Sequence, residues 1–333
     1  MKYRKLGETD IDVSVVTFGA WAIGGWLWGG QDEADAIDAI HTALDAGITS
    51  FDTAAVYGFG RSEELLGKVL AGRRDRVRIF TKYGLRWDRP GEGTLRFDTR
   101  DNEGNPVSVM RNARPDSVIE ECERSLKRLN TDYIDLYQCH WPDPTTPIED
   151  TMGAIAKLIE QGKVRASGVS NYTVEQMERA HAVVPLAASQ PPFSMVNRKA
   201  ERDVIPWCIE HNVGVVPYSP LQRGLLTGKI TEDYEFGEGD HRADNPYFRP
   251  ENVRAVNAFL DQIEPIAERH NATLAQLVIA WTIARPGITS PLVGARNRKQ
   301  ARENAAAADI ELSEKETSRI NELLSCVELE KAG

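Results

Sequence analysis

The feature that most constrains this chain is a regular alternation of short apolar segments with longer amphipathic ones. Eight short segments have the apolar or β-branched composition of buried strands, and they lie near residues 16–20, 49–53, 77–81, 133–138, 164–169, 186–190, 213–218 and 289–293. Helical patterns separate them at 32–46, 62–70, 115–129, 148–161, 173–182, 201–211 and, as one long tract, 251–284. Strands that alternate with helices form parallel sheets, because each helix returns the chain to the same end of the sheet.

The repetition predicts an α/β fold, a (β/α)8 TIM barrel in which the eight strands close into a ring. The alternative is an open doubly wound sheet, whose nucleotide site normally carries G-x-G-x-x-G after the first strand. A partial match, Gly58-Phe-Gly60-Arg-Ser-Glu63, instead follows the second strand and has glutamate in place of the third glycine. The sequence therefore favours the barrel.

Segments outside the repeat add a predicted N-terminal β-hairpin and extra C-terminal helices. Residues 3–6 and 13–16 alternate weakly across a glycine-containing turn, and helical patterns follow the last strand at 297–307 and 313–325. Because no Pro- or Ser-rich linker divides the chain, we interpret residues 1–333 as a single domain.

Two long stretches interrupt the alternation, residues 85–113 after the third strand and residues 221–250 after the seventh. Loops of this length without secondary structure are uncommon in compact domains unless they cover or bind something. Both would leave the carboxyl ends of strands, which is the rim that carries the active site in barrels. We therefore predict that they are long rim loops, and that 85–113 acts as a lid.

The net charge of −10 argues against nucleic acid or an anionic membrane as the main partner. The cysteines are far apart, without a C-x-x-C, and this predicts neither a disulfide framework nor a zinc ribbon; they are Cys122, Cys139, Cys208 and Cys326. The histidines form no metal-binding motif, so we expect no metal site.

The start of the chain has no apolar signal region, and no run of about 18 apolar residues occurs. We expect a cytoplasmic protein.

Four polar residues end or follow consecutive predicted strands: Asp52, Tyr57, Lys82 and His140. In a barrel these positions meet at one rim. Lys82, within an apolar strand, requires a partner, and Asp52 on the adjacent strand is the natural one. A neighbouring ammonium favours tyrosinate, so we expect a lowered pKa that makes Tyr57 a general acid. Taken singly, each residue also fits a structural role, such as a turn cap or a solvated strand end.

Short motifs spread along nearly the whole chain resemble those of the aldo-keto reductases. They are Phe18-Gly-Ala-Trp21, Phe51-Asp-Thr-Ala-Ala-Val-Tyr57-Gly, Thr81-Lys82, Asp132-Tyr-Ile-Asp-Leu-Tyr-Gln-Cys-His140-Trp-Pro-Asp, Gly168-Val-Ser-Asn171, Gln190-Pro-Pro, Tyr218-Ser-Pro-Leu, Arg223-Gly-Leu-Leu-Thr-Gly-Lys229 and Gly294-Ala-Arg296. Their order and spacing resemble bacterial general-stress and inositol-cluster members of that family. The stretch 85–113 is longer than is usual there.

The resemblance implies an NADPH-dependent carbonyl reductase in which Tyr57 donates the proton, Lys82 and Asp52 tune that tyrosine, and His140 orients the carbonyl. It implies that Ser170, Asn171 and Gln190 hold the nicotinamide carboxamide and that Tyr218 stacks on the ring. Further cofactor positions implied by the match are Ala20, Trp21, Asp52, Ser219, Leu221, Arg223, Gly224, Lys229, Arg242, Gly294, Arg296, Gln300, Glu303 and Asn304.

The segment Gly224-Leu-Leu-Thr-Gly228-Lys229 is not a P-loop, because three residues separate its glycines and Ile230 stands where Ser or Thr must bind Mg²⁺. We expect instead that backbone amides of 219–225 and Lys229 meet the pyrophosphate. Arg223 and Arg242 are candidate helpers, with a role as ordinary surface charges as the alternative for both.

Three cations, Arg296, Arg298 and Lys299, open the helix after the last strand. They oppose the helix dipole, which favours acids at that end. A bound phosphate would remove the conflict, and the family match places the 2′-phosphate here, so we predict NADPH in preference to NADH. A solvated basic helix face is the alternative.

Five tryptophans fall in predicted rim loops: Trp21, Trp26, Trp28, Trp87 and Trp141. They predict an aromatic-walled pocket for a small carbonyl substrate, contacted by Trp21, Trp26, Trp87 and Trp141.

Two other functions stay open. One is an NADPH-binding interaction protein of the same fold, although the channel-associated relatives carry Asn where this chain has His140; the other is a Schiff-base aldolase using Lys82. The sequence leaves open whether the chain is a monomer or a homo-oligomer.

Overall fold

The structure is a computed structural model that describes residues 1–330. The strands within that range are β1 (Tyr3–Lys5), β2 (Asp12–Ser14), β3 (Thr17–Gly19), β4 (Ser50–Asp52), β5 (Arg78–Tyr83), β6 (Leu85–Arg86), β7 (Thr94–Arg100), β8 (Pro106–Arg111), β9 (Ile134–Cys139), β10 (Val164–Ser170), β11 (Leu186–Gln190), β12 (Gly214–Val215) and β13 (Leu292–Gly294). The α-helices are α1 (Glu33–Asp45), α2 (Arg61–Val69), α3 (Pro115–Leu129), α4 (Ile148–Glu160), α5 (Val174–Val183), α6 (Val204–Glu210), α7 (Pro250–Arg269), α8 (Leu274–Ile283), α9 (Arg298–Ala306) and α10 (Glu314–Leu324).

Eight parallel strands form the central sheet, in the order β12-β11-β10-β9-β5-β4-β3-β13. β13 therefore pairs with β3, the first strand of the repeat, with Val293 opposite Phe18. The sheet closes between β12 and β13 through single parallel bridges, Val215 with Ile288 and Tyr218 with Leu292. The predicted (β/α)8 barrel is confirmed, and each predicted strand overlaps an observed one.

The predicted helical tract 251–284 is two helices, α7 and α8. The break falls at Asn271, whose φ of 50° lies in the left-handed region and cannot continue a right-handed helix. Thr273 then begins α8 with a capping box, in which its side chain accepts from the Gln276 backbone N–H and the Gln276 side chain accepts in return. The hydrophobic pattern of the sequence continues across this break, although the helical backbone is interrupted there.

The β1–β2 hairpin closes one end of the barrel. Leu6, Ile11 and Val13 from the hairpin pack in one buried cluster with Phe80 and Leu136, which lie on barrel strands. Successive residues of a strand point to opposite faces, so Phe80 and Lys82 share the interior face, while Thr81 between them meets α2 by donating to Glu63. The interior is thus apolar near the hairpin and polar near the carboxyl ends of the strands.

Residues 85–113 differ from the expected loop without secondary structure. They contain a three-stranded antiparallel sheet in the order β6-β8-β7. The turn between β7 and β8 is fixed by Asp101, whose carboxylate accepts hydrogen bonds from the Asn105 backbone N–H at 2.8 Å and the Glu103 backbone N–H at 3.0 Å. The sequence did not predict this sheet, because its strands are rich in charged residues and only partly buried. None of the helices among residues 1–330 is long and apolar enough to cross a membrane.

Candidate active site

A buried ion pair lies at the centre of the rim. The Lys82 ammonium is 2.6 Å from Asp52 Oδ1, 2.8 Å from the Thr53 carbonyl oxygen and 3.3 Å from the Tyr57 hydroxyl. Asp52 and Lys82 are 2% and 1% exposed. They meet because β4 and β5 are adjacent parallel strands, with Asp52 opposite Phe80 and both side chains directed into the barrel. The predicted partnership of these residues with Tyr57 is present in the structure.

The second oxygen of Asp52 is held by two amides. Gln190 Nε2 donates to Asp52 Oδ2 at 2.8 Å and Gln138 Nε2 donates to the same atom at 3.2 Å. Gln190 Nε2 also lies 3.2 Å from Gln138 Oε1. Gln138 was missed by the sequence reasoning, although its spacing of two from Leu136, a residue of the interior cluster, indicates the inner face of β9.

Burial governs the protonation of this group. It raises the pKa of Tyr57 well above its ordinary value, and the negative charge of Asp52 adds to that rise. The expected lowering of the Tyr57 pKa by Lys82 is therefore wrong for this structure, because Asp52 already neutralises the ammonium and the buried phenolate loses its hydration. Burial also raises the pKa of Asp52 and lowers that of Lys82, while their mutual attraction opposes both shifts.

His140 stands beside the tyrosine as a neutral imidazole. The two rings meet edge to face with their centroids 5.7 Å apart. Its backbone is fixed by a hydrogen bond of 2.9 Å from the His140 N–H to the Tyr83 carbonyl. Burial lowers the pKa of His140 well below its ordinary value, and the charges of Lys82 and Arg96 lower it further. A neutral imidazole can donate one N–H to a carbonyl oxygen placed next to Tyr57.

A chain of polar contacts connects this group to the next strands of the barrel. Ser170 Oγ donates to the Gln190 carbonyl at 2.8 Å, and Asn171 Nδ2 donates to Ser170 Oγ and to the His140 carbonyl, both at 3.0 Å. The Tyr218 hydroxyl donates to Asn171 Oδ1 at 2.9 Å. The residues expected to hold a nicotinamide are therefore in one place, directly beside Asp52 and His140.

The stretch after β12 follows a tightly wound backbone. Ser219 has positive φ, as do Gln222, Arg223 and Gly224 at the start of the 3-10 segment Gln222–Thr227. Arg223 is half-buried, its guanidinium carbon lies 5.7 Å from the Trp21 ring, and none of the residues that the structure describes gives it a carboxylate partner. Burial lowers its pKa. A half-buried cation of this kind fits an anionic ligand.

The other residues proposed for the pyrophosphate are placed differently. Arg242 is neutralised by Asp240, with a contact of 2.6 Å, and its Nη1 donates to the Arg223 carbonyl at 3.3 Å. Lys229 is exposed at the end of the same stretch. Leu221 is half-buried against the core, and the Ala20 backbone N–H donates to the Asp52 carbonyl at 2.8 Å.

Arg296 ties the start of α9 to the loop between β3 and α1. Its guanidinium donates to Gln31 Oε1 at 2.8 Å, to the Gly30 carbonyl at 2.6 Å and to the Trp28 carbonyl at 3.3 Å. All three acceptors are uncharged. Of the other cations here, Arg298 pairs with Asp38 at 3.1 Å, whereas Lys299 lies 3.9 Å from Glu303 and is exposed.

The remaining residues predicted at this helix stabilise its start. Gln300 Oε1 accepts from the Arg296 backbone N–H at 2.8 Å, and Asn304 Nδ2 donates to the Gly294 carbonyl at 3.0 Å. Asn297 caps the helix by accepting from the Gln300 N–H. The predicted adenine end of the site is thus an ordered helix start with one cation, Arg296, that has only neutral partners.

Aromatic side chains surround the mouth beside Tyr57. The predicted substrate contacts Trp21, Trp26, Trp87 and Trp141 belong to one cluster with Tyr57, Phe59 and Phe97. The Trp21 and Tyr57 rings are stacked with centroids 6.1 Å apart. Trp26 is only 6% exposed and donates from Nε1 to the Thr99 hydroxyl at 3.2 Å, so it supports the mouth from beneath. Sequence reasoning missed His241, whose ring lies 4.9 Å from Trp21 and 5.0 Å from Trp28.

The fold and the site together define a (β/α)8 barrel with a buried Asp–Lys pair, a tyrosine and a histidine at its carboxyl rim. The sequence matches the model of the aldo/keto reductase family over residues 15–325, and the chain belongs to that family. Aldo-keto reductases use nicotinamide cofactors and act on small carbonyl compounds.

Known relatives agree in length and sequence. The aldo-keto reductase YhdN of Bacillus subtilis is 39% identical over 327 residues, covering 97% of this chain and 94% of that protein. The NADH-specific methylglyoxal reductase of Escherichia coli is 36% identical over 334 residues, covering 98% of this chain and 100% of that protein. The solved structure of the glycerol dehydrogenase AKR11B4 from Gluconobacter oxydans is similar with a TM-score of 0.87 at 37% identity, over 98% of this chain and 95% of that one.

Proposed function

We propose that this protein is an NADPH-dependent reductase that converts small aldehydes and ketones to alcohols, with Tyr57 as the general acid. The observation that carries the proposal is the contact of the buried Asp52–Lys82 pair with the Tyr57 hydroxyl, beside a neutral His140. A protonated tyrosine and an imidazole N–H that share one space are suited to a carbonyl oxygen. They have no evident use in a protein that only binds a partner.

The residues present fit a nicotinamide cofactor. Gln190 directs its Nε2 toward Asp52, so its side-chain Oε1 can accept from a carboxamide, and Asn171 and Ser170 lie next to it. Tyr218 would provide the flat surface against the ring, since its hydroxyl is fixed by Asn171. Arg223, a half-buried cation with no acid partner among the residues described, fits the pyrophosphate. When bound, the reduced nicotinamide supplies a hydride to the carbonyl carbon.

The protein side of the reaction is a proton transfer. Tyr57 gives its hydroxyl proton to the carbonyl oxygen as that atom gains negative charge, so one carbonyl, one hydride and one proton yield one alcohol. The Lys82 ammonium, 3.3 Å from the hydroxyl, stabilises the phenolate that forms, and Asp52 holds the ammonium in place. His140 orients the carbonyl oxygen by donating a hydrogen bond, and the surrounding tryptophans exclude water.

The preference for NADPH over NADH rests on Arg296. It is the cation at the start of α9 that contacts only uncharged acceptors, so a 2′-phosphate could take it over without breaking an ion pair. A relative named as NADH-specific shows that the family contains both preferences. The Schiff-base alternative loses support, because the Lys82 nitrogen is buried and ion-paired with Asp52.

The test is a panel of aldehydes and ketones, including methylglyoxal, assayed by loss of NADPH or NADH absorbance. We expect turnover with NADPH and a lower kcat/KM with NADH. Absence of turnover with every carbonyl compound, combined with tight NADPH binding, would favour the interaction-protein alternative. Trapping of substrate on Lys82 by borohydride would favour the aldolase.

A further inference from the structure

A β-bulge in the antiparallel sheet directs one cation toward the catalytic group. In the pairing of β7 with β8, Leu95 stands opposite Met110 and Phe97 stands opposite Val109, so Arg96 has no residue across from it. Successive strand residues normally point to opposite faces, and a bulge changes the direction of the side chain that follows. Leu95 is exposed, whereas Arg96 and Phe97 both contact the aromatic cluster of the mouth.

The guanidinium of Arg96 lies beside the proposed chemistry. Its central carbon is 4.3 Å from the centroid of the Trp141 ring, which is a cation–π contact. Trp141 directly follows His140 in the chain. The positive charge of Arg96 helps to lower the pKa of His140 and offsets part of the rise to about 12 that burial gives the pKa of Tyr218, so Arg96 lies near both the proposed carbonyl ligand and the proposed nicotinamide platform.

Arg96 has no acidic partner among residues 1–330, and its Nε is buried without a hydrogen-bond acceptor. Buried donors without a partner are rare, because each costs the free energy of its lost hydration. Four arginines around the base of the sheet are paired with acids: Arg86 with Asp88, Arg89 with Glu120, Arg114 with Glu92 and Arg124 with Asp88. Arg111 on β8 also has a buried Nε without an acceptor, but of these two Arg96 is the one that contacts Trp141. Arg96 differs from them in facing the mouth.

The proposed cofactor does not account for this charge. Arg223 and Arg296, two rim arginines without a carboxylate partner among residues 1–330, match the pyrophosphate and the 2′-phosphate, which are its anionic groups. Arg96 approaches from β7, next to His140 and Trp141, where the substrate carbonyl would lie. An anion in that position would belong to the substrate.

We propose that Arg96 binds an anionic group of the substrate, so that this enzyme acts on carbonyl compounds that carry a carboxylate or a phosphate a few atoms from the carbonyl carbon. A guanidinium is suited to this task because its N–H groups form paired hydrogen bonds with the oxygens of either anion. The inference rests on the proposed function, since it names the substrate class of the same site.

Matched substrate pairs test it. The carboxylate pair is succinate semialdehyde and butanal, and the phosphate pair is glyceraldehyde 3-phosphate and glyceraldehyde. We expect the wild-type kcat/KM to favour the charged member of at least one pair by about tenfold or more, and the pair with the larger ratio identifies the anion. Arg96→Met should lower kcat/KM for the charged member of that pair more than for its neutral partner, so that the ratio falls toward one.

Arg100→Met is the matched control. Arg100 is an exposed residue of the same strand whose guanidinium donates to the Gly104 carbonyl at 2.7 Å, away from the mouth. This variant should keep the wild-type ratio. Equal kcat/KM values for the charged and neutral members of both pairs, with the ratios unchanged in Arg96→Met, would overturn the inference. Reduction of the neutral aldehydes would still uphold the proposed reductase function.

A binding measurement tests the anion site at Arg96 independently of the proposed reductase function. Succinate and inorganic phosphate should quench or shift the tryptophan fluorescence of the wild-type protein, because Arg96 lies on Trp141, and the response should be lost in Arg96→Met. This readout requires no turnover. A response that is equal in wild type and Arg96→Met would contradict the inference, and unchanged melting temperatures would show that the variants are folded.

Discussion

The ammonium of Lys82 lies 3.3 Å from the hydroxyl of Tyr57, although these residues are on different elements. The contact depends on the barrel, because β4 and β5 end at the same rim and the Tyr57 loop turns back over it. Tyr57 gains a positive neighbour that is itself neutralised by Asp52. The tyrosine is therefore an acid that keeps its proton until a developing negative charge draws it away.

Tyr57→Phe should keep the ring packed against Trp21 and remove only the proton. We expect kcat for aldehyde reduction to fall by about 10²- to 10⁴-fold, which is roughly 2.7–5.5 kcal/mol of barrier. NADPH binding, measured by fluorescence, should be unchanged. Tyr137→Phe is the control, because the Tyr137 hydroxyl is buried on the outer face of β9 without a hydrogen-bond partner. Near wild-type kcat in Tyr57→Phe would refute the mechanism.

Lys82→Met should reduce kcat to a similar extent and also destabilise the protein. The variant leaves the Asp52 carboxylate buried without its counter-ion, a change that typically costs about 3–5 kcal/mol. The double variant Asp52→Asn with Lys82→Met removes both charges and should recover part of that stability without recovering activity. Urea unfolding and steady-state kinetics on the same samples measure the two effects. Recovery of activity in the double variant would show that Lys82 acts only through the fold.

The rate of reduction should be nearly independent of pH from about 6 to about 9, judged from the ordinary pKa values of histidine and tyrosine. His140 stays neutral because its pKa lies well below the ordinary value, and Tyr57 stays protonated because its pKa lies well above. A profile of kcat/KM at saturating NADPH tests this expectation. A basic limb near neutral pH that disappears in Tyr57→Phe would instead support the lowered tyrosine pKa inferred from the sequence.

Arg296→Ala should weaken NADPH binding by roughly 10- to 150-fold, since a charge-assisted hydrogen bond contributes about 1.5–3 kcal/mol. NADH binding should change little. Gln31→Ala is the matched control, because it loosens the same loop while keeping the cation. That variant should affect the two cofactors equally. Equal losses for NADPH and NADH in Arg296→Ala would contradict the assignment of this arginine to the 2′-phosphate.

Glu121 predicts a pH-dependent stability. Burial raises the pKa of this carboxyl group from 4.5 to about 8, and its oxygens accept from the Gly84 N–H at 3.1 and 3.2 Å. Because the folded chain holds this proton more tightly, the contribution to stability is complete below about pH 4.5 and is lost as the pH rises to about 8, by at most about 5 kcal/mol. Glu121→Gln should flatten the free energy of unfolding against pH, measured in urea. If the free energy of unfolding of Glu121→Gln depends on pH as steeply as that of the wild type, another group is responsible for the pH dependence.

The alternation of short strands and helices was sufficient to predict the barrel, and the strand ends were sufficient to predict that Asp52, Tyr57, Lys82 and His140 meet. Periodicity reports which residues face inward, and a parallel barrel brings strand ends together. The sheet of residues 85–113 was not predictable in the same way. Its strands are charged and partly exposed, so their apolar signal is weak, and they are anchored by ion pairs to α3 that no local pattern reveals.

The site was harder to predict where the role of a side chain depends on whether a charged neighbour is already neutralised by another residue. Arg242 and Arg223 look equivalent in the sequence, yet Asp240 neutralises the first and leaves the second without an acid among the residues described. The pKa of Tyr57 depends on how far Asp52 cancels Lys82 and on how deeply the phenol is buried. Both are properties of packing, and the spacing of residues along the chain does not contain them.

The closure of the barrel between β12 and β13 has a dynamic consequence. Five residue pairs hold β9 to β10, whereas two isolated bridges, at Val215 and Tyr218, and a few backbone hydrogen bonds join this seam. Local opening should therefore begin here, and backbone amides at 213–218 and 288–294 should take up deuterium before those of β9. Tyr218 stands at the seam, so a ligand stacked on its ring would also fasten the two edges of the sheet. When such a ligand binds, the backbone amides at 213–218 and 288–294 should be the first to become protected from deuterium exchange.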